Sequence, residues 1–128
     1  MHVDHIGIAV EDVDAFTELY ASLFDLQVAH EEEFDGLSVA FLDADGVYLE
    51  ILEPLEDGTA IGDFLDRNGP GMHHVAFTVE DIENALENAR AAGAALIDDV
   101  PRPGAWGHTV AFLHPKSMGG VLVEFVEH

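Results

Sequence analysis

The sequence predicts an α+β fold, in which two tandem βαβββ modules form a curved mixed sheet, and an internal repeat is the main reason. Residues 4–13 (DHIGIAVEDV) recur as residues 73–82 (HHVAFTVEDI), at an offset of 69. Residues 47–53 (VYLEILE) recur as residues 121–127 (VLVEFVE), at an offset of 74. A repeat with a period near 70 residues indicates that one supersecondary unit occurs twice, with a longer loop in the second copy.

The first module shows the signals of a strand, a helix and three further strands. Residues 3–10 predict the first strand, and Asp12 is a typical helix N-cap with Asp14 in the first turn. The later strands are expected near 25–30, 37–43 and 46–53, with Asp45-Gly46 as a hairpin turn and Glu31-Glu32-Glu33 as a solvated loop. The helix is expected to bury one stripe, formed by Val13, Phe16, Leu19 or Tyr20, and Leu23.

The second module follows the same order. Asp81 is the expected N-cap of its helix, and Gly93 is the expected end. Its remaining strands are expected near 95–100, 108–114 and 120–127. The buried stripe of this helix is expected to be Ile82, Ala85, Leu86 and Ala89. A short linker helix from Thr59 to Asn68 precedes the connection Gly69-Pro70-Gly71. We therefore expect a single domain with module one at about 1–57, the linker at about 58–70 and module two at about 71–128.

Composition excludes several classes of function. The 128 residues contain no cysteine, which rules out disulfides, thiolate zinc sites and cysteine nucleophiles. A formal net charge of −22, from 26 acidic and four basic residues, makes nucleic acid and anionic membranes unfavourable partners. The sequence shows no signal-like start and no long apolar run, so a cytoplasmic location is expected. Because salt screens such self-repulsion, we also expect a halophilic protein adapted to a high-salt cytoplasm.

Two histidines and two glutamates occupy equivalent positions in the repeat. His5 and His74 lie on the first strands, while Glu50 and Glu124 lie on the last strands, within otherwise apolar runs. A lone histidine is usually structural and a lone glutamate is usually solvated, but an unpaired carboxylate in an apolar strand is costly. The four together form a nitrogen and oxygen set suited to Co, Ni, Mn, Fe or Zn, in a cleft of the sheet. Glu53 and Glu127 lie three residues further on and are expected to face solvent on the opposite side.

These motifs resemble the vicinal-oxygen-chelate (glyoxalase and bleomycin-resistance-like) superfamily. The resemblance rests on DHIGIAV at 4–10, LEILEPL at 49–55 and GMHHVAF at 71–77. The run FLHPKSMGGVLVE at 112–124 and the spacer AIGDFL at 60–65 are similar to the methylmalonyl-CoA epimerase family within it.

The resemblance implies an isomerase that interconverts the 2R and 2S forms of methylmalonyl-CoA. It implies one divalent ion per chain, most often Co2+, with Ni2+, Mn2+ or Zn2+ as alternatives, held by His5, Glu50, His74 and Glu124. His73 is not expected to be a ligand. The ion would stabilise the enolate formed when the C2 proton is removed. The substrate is an acyl-CoA, and a homodimer is expected. Lys116, the only lysine, is either a contact for a coenzyme A phosphate or a turn residue.

Departures from the family pattern leave some roles open. Some members carry a glutamate, proposed as one base, where this chain has Val39, and a glutamine where it has Glu50. We therefore expect Glu50 and Glu124 to act both as ligands and as the catalytic acid–base pair. Trp106 stands in a segment where relatives often show His-Gly-Lys, and it either covers the pocket or packs on its loop.

Three alternatives share the architecture. A glyoxalase I-type isomerase would use nearly the same ligands on a glutathione hemithioacetal. A metal-free binding module of the antibiotic-resistance type would tend to lose the ligand positions, all four of which this chain keeps. A ring-cleaving dioxygenase would use two histidines and one glutamate on iron, usually in a longer chain.

Overall fold

The computed structural model describes all 128 residues and contains three helices and eight strands. This confirms the predicted α+β class. None of the helices is long and apolar enough to span a membrane. The elements in chain order are β1 Val3–Ala9, α1 Val13–Phe24, β2 Gln27–Phe34, β3 Leu37–Asp43, β4 Tyr48–Pro54, α2 Ala60–Asn68, β5 Gly71–Thr78, α3 Ile82–Ala91, β6 Arg102–Pro103, β7 Thr109–Leu113 and β8 Val123–Glu127. Short 3-10 turns occupy Ala105–Gly107 and Pro115–Ser117.

The chain folds into two compact units. The first unit is His5–His73, and its strands lie in the order β2-β3-β4-β1, with β1 and β4 parallel and the other pairs antiparallel. The second unit combines Met1–Asp4 with His74–His128, and its strands lie in the order β5-β8-β7-β6, with β5 and β8 parallel. The predicted βαβββ order and the mixed pairing are therefore confirmed in both units. The proposed module limits near residues 57 and 71 remain predictions.

Helix α1 covers one face of the first sheet. Asp12 caps it by accepting the amide N–H of Ala15 at 3.1 Å, as predicted. Tyr20, not Leu19, packs against the core, since Leu19 is 54% exposed. The prediction for Leu23 is wrong: that residue is 67% exposed. The helix ends at Phe24, and the chain reverses through Asp25 (φ 56°), which places Leu26 against the core at that end instead.

Helix α3 covers one face of the second sheet in the predicted way. The Asp81 carboxylate accepts the N–H of Asn84 at 3.1 Å, which supplies the expected cap. Gly93 (φ 89°) follows the last turn and allows the chain to leave the helix. The predicted stripe of Ile82, Ala85, Leu86 and Ala89 packs on the core of this unit.

Two hairpin turns shape the first unit. Asp45 (φ 58°) and Gly46 (φ 105°) form the predicted turn between β3 and β4. Asp35 (φ 52°) and Gly36 (φ 78°) form a second turn that was not predicted. Residues 31–33 consequently lie inside β2, so their assignment to a loop is wrong. They occupy an edge strand, where charged side chains are common because they discourage pairing with another chain.

The strand predicted at 95–100 is replaced by weaker pairing. Only Leu96 forms an isolated bridge, to Leu113, and β6 comprises two residues. The amide N–H groups of Ile97 and Asp98 both donate to the carbonyl of Phe112, and the Phe112 N–H donates to the Asp98 carboxylate at 2.8 Å instead of to a backbone carbonyl, so no regular ladder forms here. The short helix predicted from Thr59 to Asn68 is confirmed, because α2 begins after the Thr59 cap and ends before Gly69.

Candidate metal and substrate site

The first unit contains one of the two predicted histidine–glutamate pairs. His5 on β1 and Glu50 on β4 are 4% and 6% exposed, and His5 Nε2 lies 3.4 Å from Glu50 Oε1. In the parallel register Glu50 lies opposite Gly7, two residues along from His5. Residues two apart on a strand share a face, so the register directs both side chains to the same side of the sheet.

The second unit repeats this arrangement. His74 on β5 and Glu124 on β8 are 7% and 6% exposed, and His74 Nε2 lies 3.3 Å from Glu124 Oε1. Glu124 lies opposite Ala76, again two residues along from the histidine. The residue opposite each carboxylate is small, Gly7 in the first unit and Ala76 in the second.

An aromatic ring accompanies each pair, and the sequence analysis did not identify either one. The Phe41 ring meets His5 edge-on at 5.7 Å, and the Phe112 ring meets His74 in the same way at 5.6 Å. In register, Phe41 lies opposite Glu50 and Phe112 lies opposite Glu124. The sequence does contain a sign of these two phenylalanines, because a further segment is duplicated: VAFL occurs at 39–42 and again at 110–113.

The donor atoms fit two adjacent positions around a divalent ion. Ligands about 2.1 Å from a metal, at tetrahedral or octahedral angles, lie about 3.0–3.4 Å apart. The two measured separations of 3.4 and 3.3 Å correspond to one edge of such a polyhedron. Imidazole nitrogen and carboxylate oxygen also suit the ions named above. A buried carboxylate needs such a partner, because leaving it without a positive charge or hydrogen bond is costly.

Glu53 and Glu127 lie on the opposite face from Glu50 and Glu124, as expected. Both are partly exposed, and each also binds the start of a helix, which was not predicted. Glu53 Oε1 accepts the N–H of Val13 at 2.8 Å, and Glu127 Oε1 accepts the N–H of Ile82 at 2.9 Å. Each carboxylate therefore binds the first residue of α1 or α3, where the helix dipole favours a negative charge.

The remaining candidates lie outside these pairs. The His73 ring contacts the Phe64 ring of α2 edge-on at 5.1 Å. The Trp106 ring stacks on His108 at 5.7 Å, which supports packing on its own loop. Lys116 is exposed in the turn Pro115–Ser117, where its N–H donates to His114 Nδ1 at 3.1 Å. Its contact with a phosphate remains a prediction.

A buried polar contact that the sequence analysis missed ties the start of the chain to the second unit. Asp4 is buried and accepts the Thr78 hydroxyl hydrogen at 3.1 Å. Its carboxylate also contacts His128, and Thr78 donates its amide N–H to the carbonyl of His2 at 2.9 Å. Residues 1–4 therefore belong structurally with the second half of the chain.

Relatives of known sequence support the resemblance seen in the motifs. The ethylmalonyl-CoA/methylmalonyl-CoA epimerase of Cereibacter sphaeroides is 38% identical over 126 residues, covering 95% of this chain and 94% of that protein. The mitochondrial methylmalonyl-CoA epimerase of Dictyostelium discoideum is 35% identical over 128 residues, covering 98% of this chain and 77% of that protein.

Solved structures agree with the sequence relatives. Methylmalonyl-CoA epimerase from Mycobacterium tuberculosis matches with a TM-score of 0.93 at 35% identity, covering 98% of this chain and 87% of that one. A methylmalonyl-CoA epimerase in complex with methylmalonyl-CoA and NH4+ matches with a TM-score of 0.92 at 39% identity, covering 98% of this chain and 93% of that one. These neighbours are isomerases of the epimerase class.

A family model described as the Glyoxalase/Bleomycin resistance protein/Dioxygenase superfamily matches residues 4–112. The match spans both units and includes three of the four predicted ligands, His5, Glu50 and His74. The similarity to methylmalonyl-CoA epimerases is thus confirmed, and the chain belongs to the glyoxalase/bleomycin resistance protein/dioxygenase superfamily.

Proposed function

We propose that this chain catalyses the divalent-metal-dependent epimerisation of methylmalonyl-CoA, interconverting its 2R and 2S forms. The observation that carries the proposal is the buried histidine–glutamate pair that occurs once in each unit with nearly the same spacing. Relatives at 35–38% identity that carry this activity in their names favour the epimerase over a glyoxalase I-type isomerase, whose ligand set would be similar.

In this proposal His5, Glu50, His74 and Glu124 bind one divalent ion per chain. Each unit contributes half of the ligand set, and each half has the separation of neighbouring ligands. Co2+ is the expected ion, with Ni2+, Mn2+ or Zn2+ as alternatives, because imidazole and carboxylate ligands suit all of them. When bound, the ion supplies positive charge beside the thioester oxygen on which the enolate charge collects.

The residues of the chain then have to move a proton at C2. The C2–H bond breaks, the proton passes to a carboxylate, and the electron pair delocalises onto the thioester oxygen. Glu50 and Glu124 are the proposed acid–base pair, one removing the proton and the other returning one to the opposite side of the carbon. Their burial limits access of water to the carboxylates, and the Phe41 and Phe112 rings restrict the orientations of the adjacent imidazoles.

The decisive measurement is proton-for-deuterium exchange at C2 of methylmalonyl-CoA in D2O. The same preparation is assayed after chelator treatment, after reloading with Co2+, and with a glutathione hemithioacetal as the substrate. We expect exchange that depends on the metal and no isomerisation of the hemithioacetal. Isomerisation of the hemithioacetal without exchange would instead identify a glyoxalase I-type enzyme. Failure to bind any divalent ion in equilibrium dialysis, together with no exchange, would favour a metal-free binding module.

The proposal also covers a contact for coenzyme A, the oligomeric state and the cellular location. We propose Lys116 as a contact for a coenzyme A phosphate, since it is exposed and the surrounding protein is strongly acidic. We also propose a homodimer located in a high-salt cytoplasm. The net charge of −22 supports the salt requirement, and size-exclusion chromatography with light scattering tests the dimer.

A further inference from the structure

Arg102 lies on the same face of the second sheet as the ligand pair of that unit. In the antiparallel register Arg102 lies opposite Val110 of β7. Two residues further along β7, Phe112 lies opposite Glu124 of β8. Directly opposed residues and residues two apart share a face. The side chain of Arg102 is therefore directed to the face that carries Glu124, whereas α3 covers the other face.

Two contacts hold the guanidinium group in place without using all its donors. Arg102 Nε donates to Asp98 Oδ1 at 3.1 Å, and the guanidinium carbon lies 5.3 Å from the centre of the Phe112 ring. Its side chain remains 45% exposed. Because the salt bridge to Asp98 uses Nε, the two terminal amino groups of the Arg102 guanidinium can form a bidentate contact with a carboxylate or phosphate.

The equivalent position in the first unit carries the opposite charge. The repeated VAFL segments align Val110 with Val39, and Glu32 on β2 lies opposite Val39. Glu32 Oε1 lies 3.3 Å from His30 Nε2, and the two side chains are about a quarter exposed. The repeat that duplicates the ligand pairs therefore carries a cation at the edge of one sheet and a carboxylate at the edge of the other.

We propose that Arg102 binds an anionic group of the acyl-CoA substrate, on the face of the second sheet that carries His74 and Glu124. The inference rests on the proposed function. A chain with 26 acidic and four basic residues repels a polyanion over most of its surface, so an arginine beside the ligand pair is a favourable contact. The anion is either a phosphate of coenzyme A or the carboxylate of the malonyl group.

The test compares Arg102→Gln and Arg102→Lys with Arg90→Gln. Arg90 is a matched control because it is exposed on α3, on the helix side, and donates only to the carbonyl of Asp99. Each variant is assayed by C2 exchange with methylmalonyl-CoA and with the methylmalonyl thioester of pantetheine, which lacks the phosphates. Thermal denaturation and Co2+ titration of each variant check the fold and the metal site.

We expect Arg102→Gln to raise KM for methylmalonyl-CoA about 10-fold or more. Arg102→Lys should recover part of the loss, and Arg90→Gln should leave KM within about 2-fold. A rise confined to the CoA thioester identifies a phosphate as the anion, and a rise with both thioesters identifies the carboxylate. Equal KM values for Arg102→Gln and Arg90→Gln would overturn the inference. Absence of exchange by the Co2+-loaded wild-type protein would instead overturn the proposed function.

Discussion

Glu127 should contribute measurably to stability because it binds the start of helix α3. Its carboxylate accepts the Ile82 N–H at 2.9 Å, while the Asp81 cap serves the N–H of Asn84. A hydrogen bond to a charged group contributes about 1.5–3 kcal/mol, and a neutral one about 0.5–1.5 kcal/mol. Glu127→Ala should therefore lower the free energy of unfolding by about 2 kcal/mol, and Glu127→Gln by about 1 kcal/mol.

These free-energy changes can be measured as shifts of the melting midpoint, Tm, in thermal denaturation monitored by circular dichroism. At an unfolding entropy of about 2.1 cal/mol/K per residue, 1 kcal/mol corresponds to about 4 °C for a chain of this size. We expect Tm to fall by about 7 °C for Glu127→Ala and about 4 °C for Glu127→Gln.

A charge control is necessary, because removing any carboxylate reduces the self-repulsion of a chain with a net charge of −22. Glu87→Ala and Glu87→Gln serve this purpose, since Glu87 is exposed on the same helix. All proteins are measured in the same high-salt buffer. If Glu127→Ala melts within 1 °C of Glu87→Ala (about 0.3 kcal/mol), the Glu127 carboxylate does not stabilise α3 as argued.

Three further predictions concern the site and the surface. Glu50→Gln and Glu124→Gln should each reduce C2 exchange by about 100-fold or more, because each loses a ligand charge and a proton acceptor; retention of full exchange by either would remove that residue from the acid–base pair. Lys116→Gln should raise KM for methylmalonyl-CoA several-fold and leave KM for the pantetheine thioester unchanged, and an equal change with both thioesters would argue against a phosphate contact. Finally, Tm should rise steadily as KCl increases from about 0.05 to 2 M, since the screening length falls from over 10 Å to about 3 Å or less; a high Tm that is independent of salt would contradict the halophilic assignment.

The repeat explains why so much of the site could be predicted from one sequence. Each histidine and glutamate is ambiguous alone, but the duplication places His5 with His74 and Glu50 with Glu124 at matching points of the same unit. The structure then shows both pairs buried within their units at 3.4 and 3.3 Å. The helix caps at Asp12 and Asp81 could also be predicted from the sequence, because capping depends on residues within one turn.

The errors and omissions have separate physical causes. Strand periodicity gives the face on which Glu53 lies but not the helix start that it binds there, because Val13 is 40 residues away in the sequence. Leu23 matches the helical stripe, yet the turn at Asp25 directs Leu26 to the core in its place. The strand predicted at 95–100 follows from analogy with the first module, and the analogy did not show that the Asp98 carboxylate binds the Phe112 N–H and so interrupts the ladder.

The bond between Thr78 and Asp4, with His128 on the same carboxylate, has a consequence for how the chain acquires its fold during synthesis. Two partners of Asp4, Thr78 and His128, are 74 and 124 positions away in the sequence. Contacts of that kind form late, since a long loop must close before they add stability. During synthesis residues 1–4 would therefore stay unanchored until Thr78 and then His128 had been made, and a chain that stopped before Thr78 would leave them open to proteases.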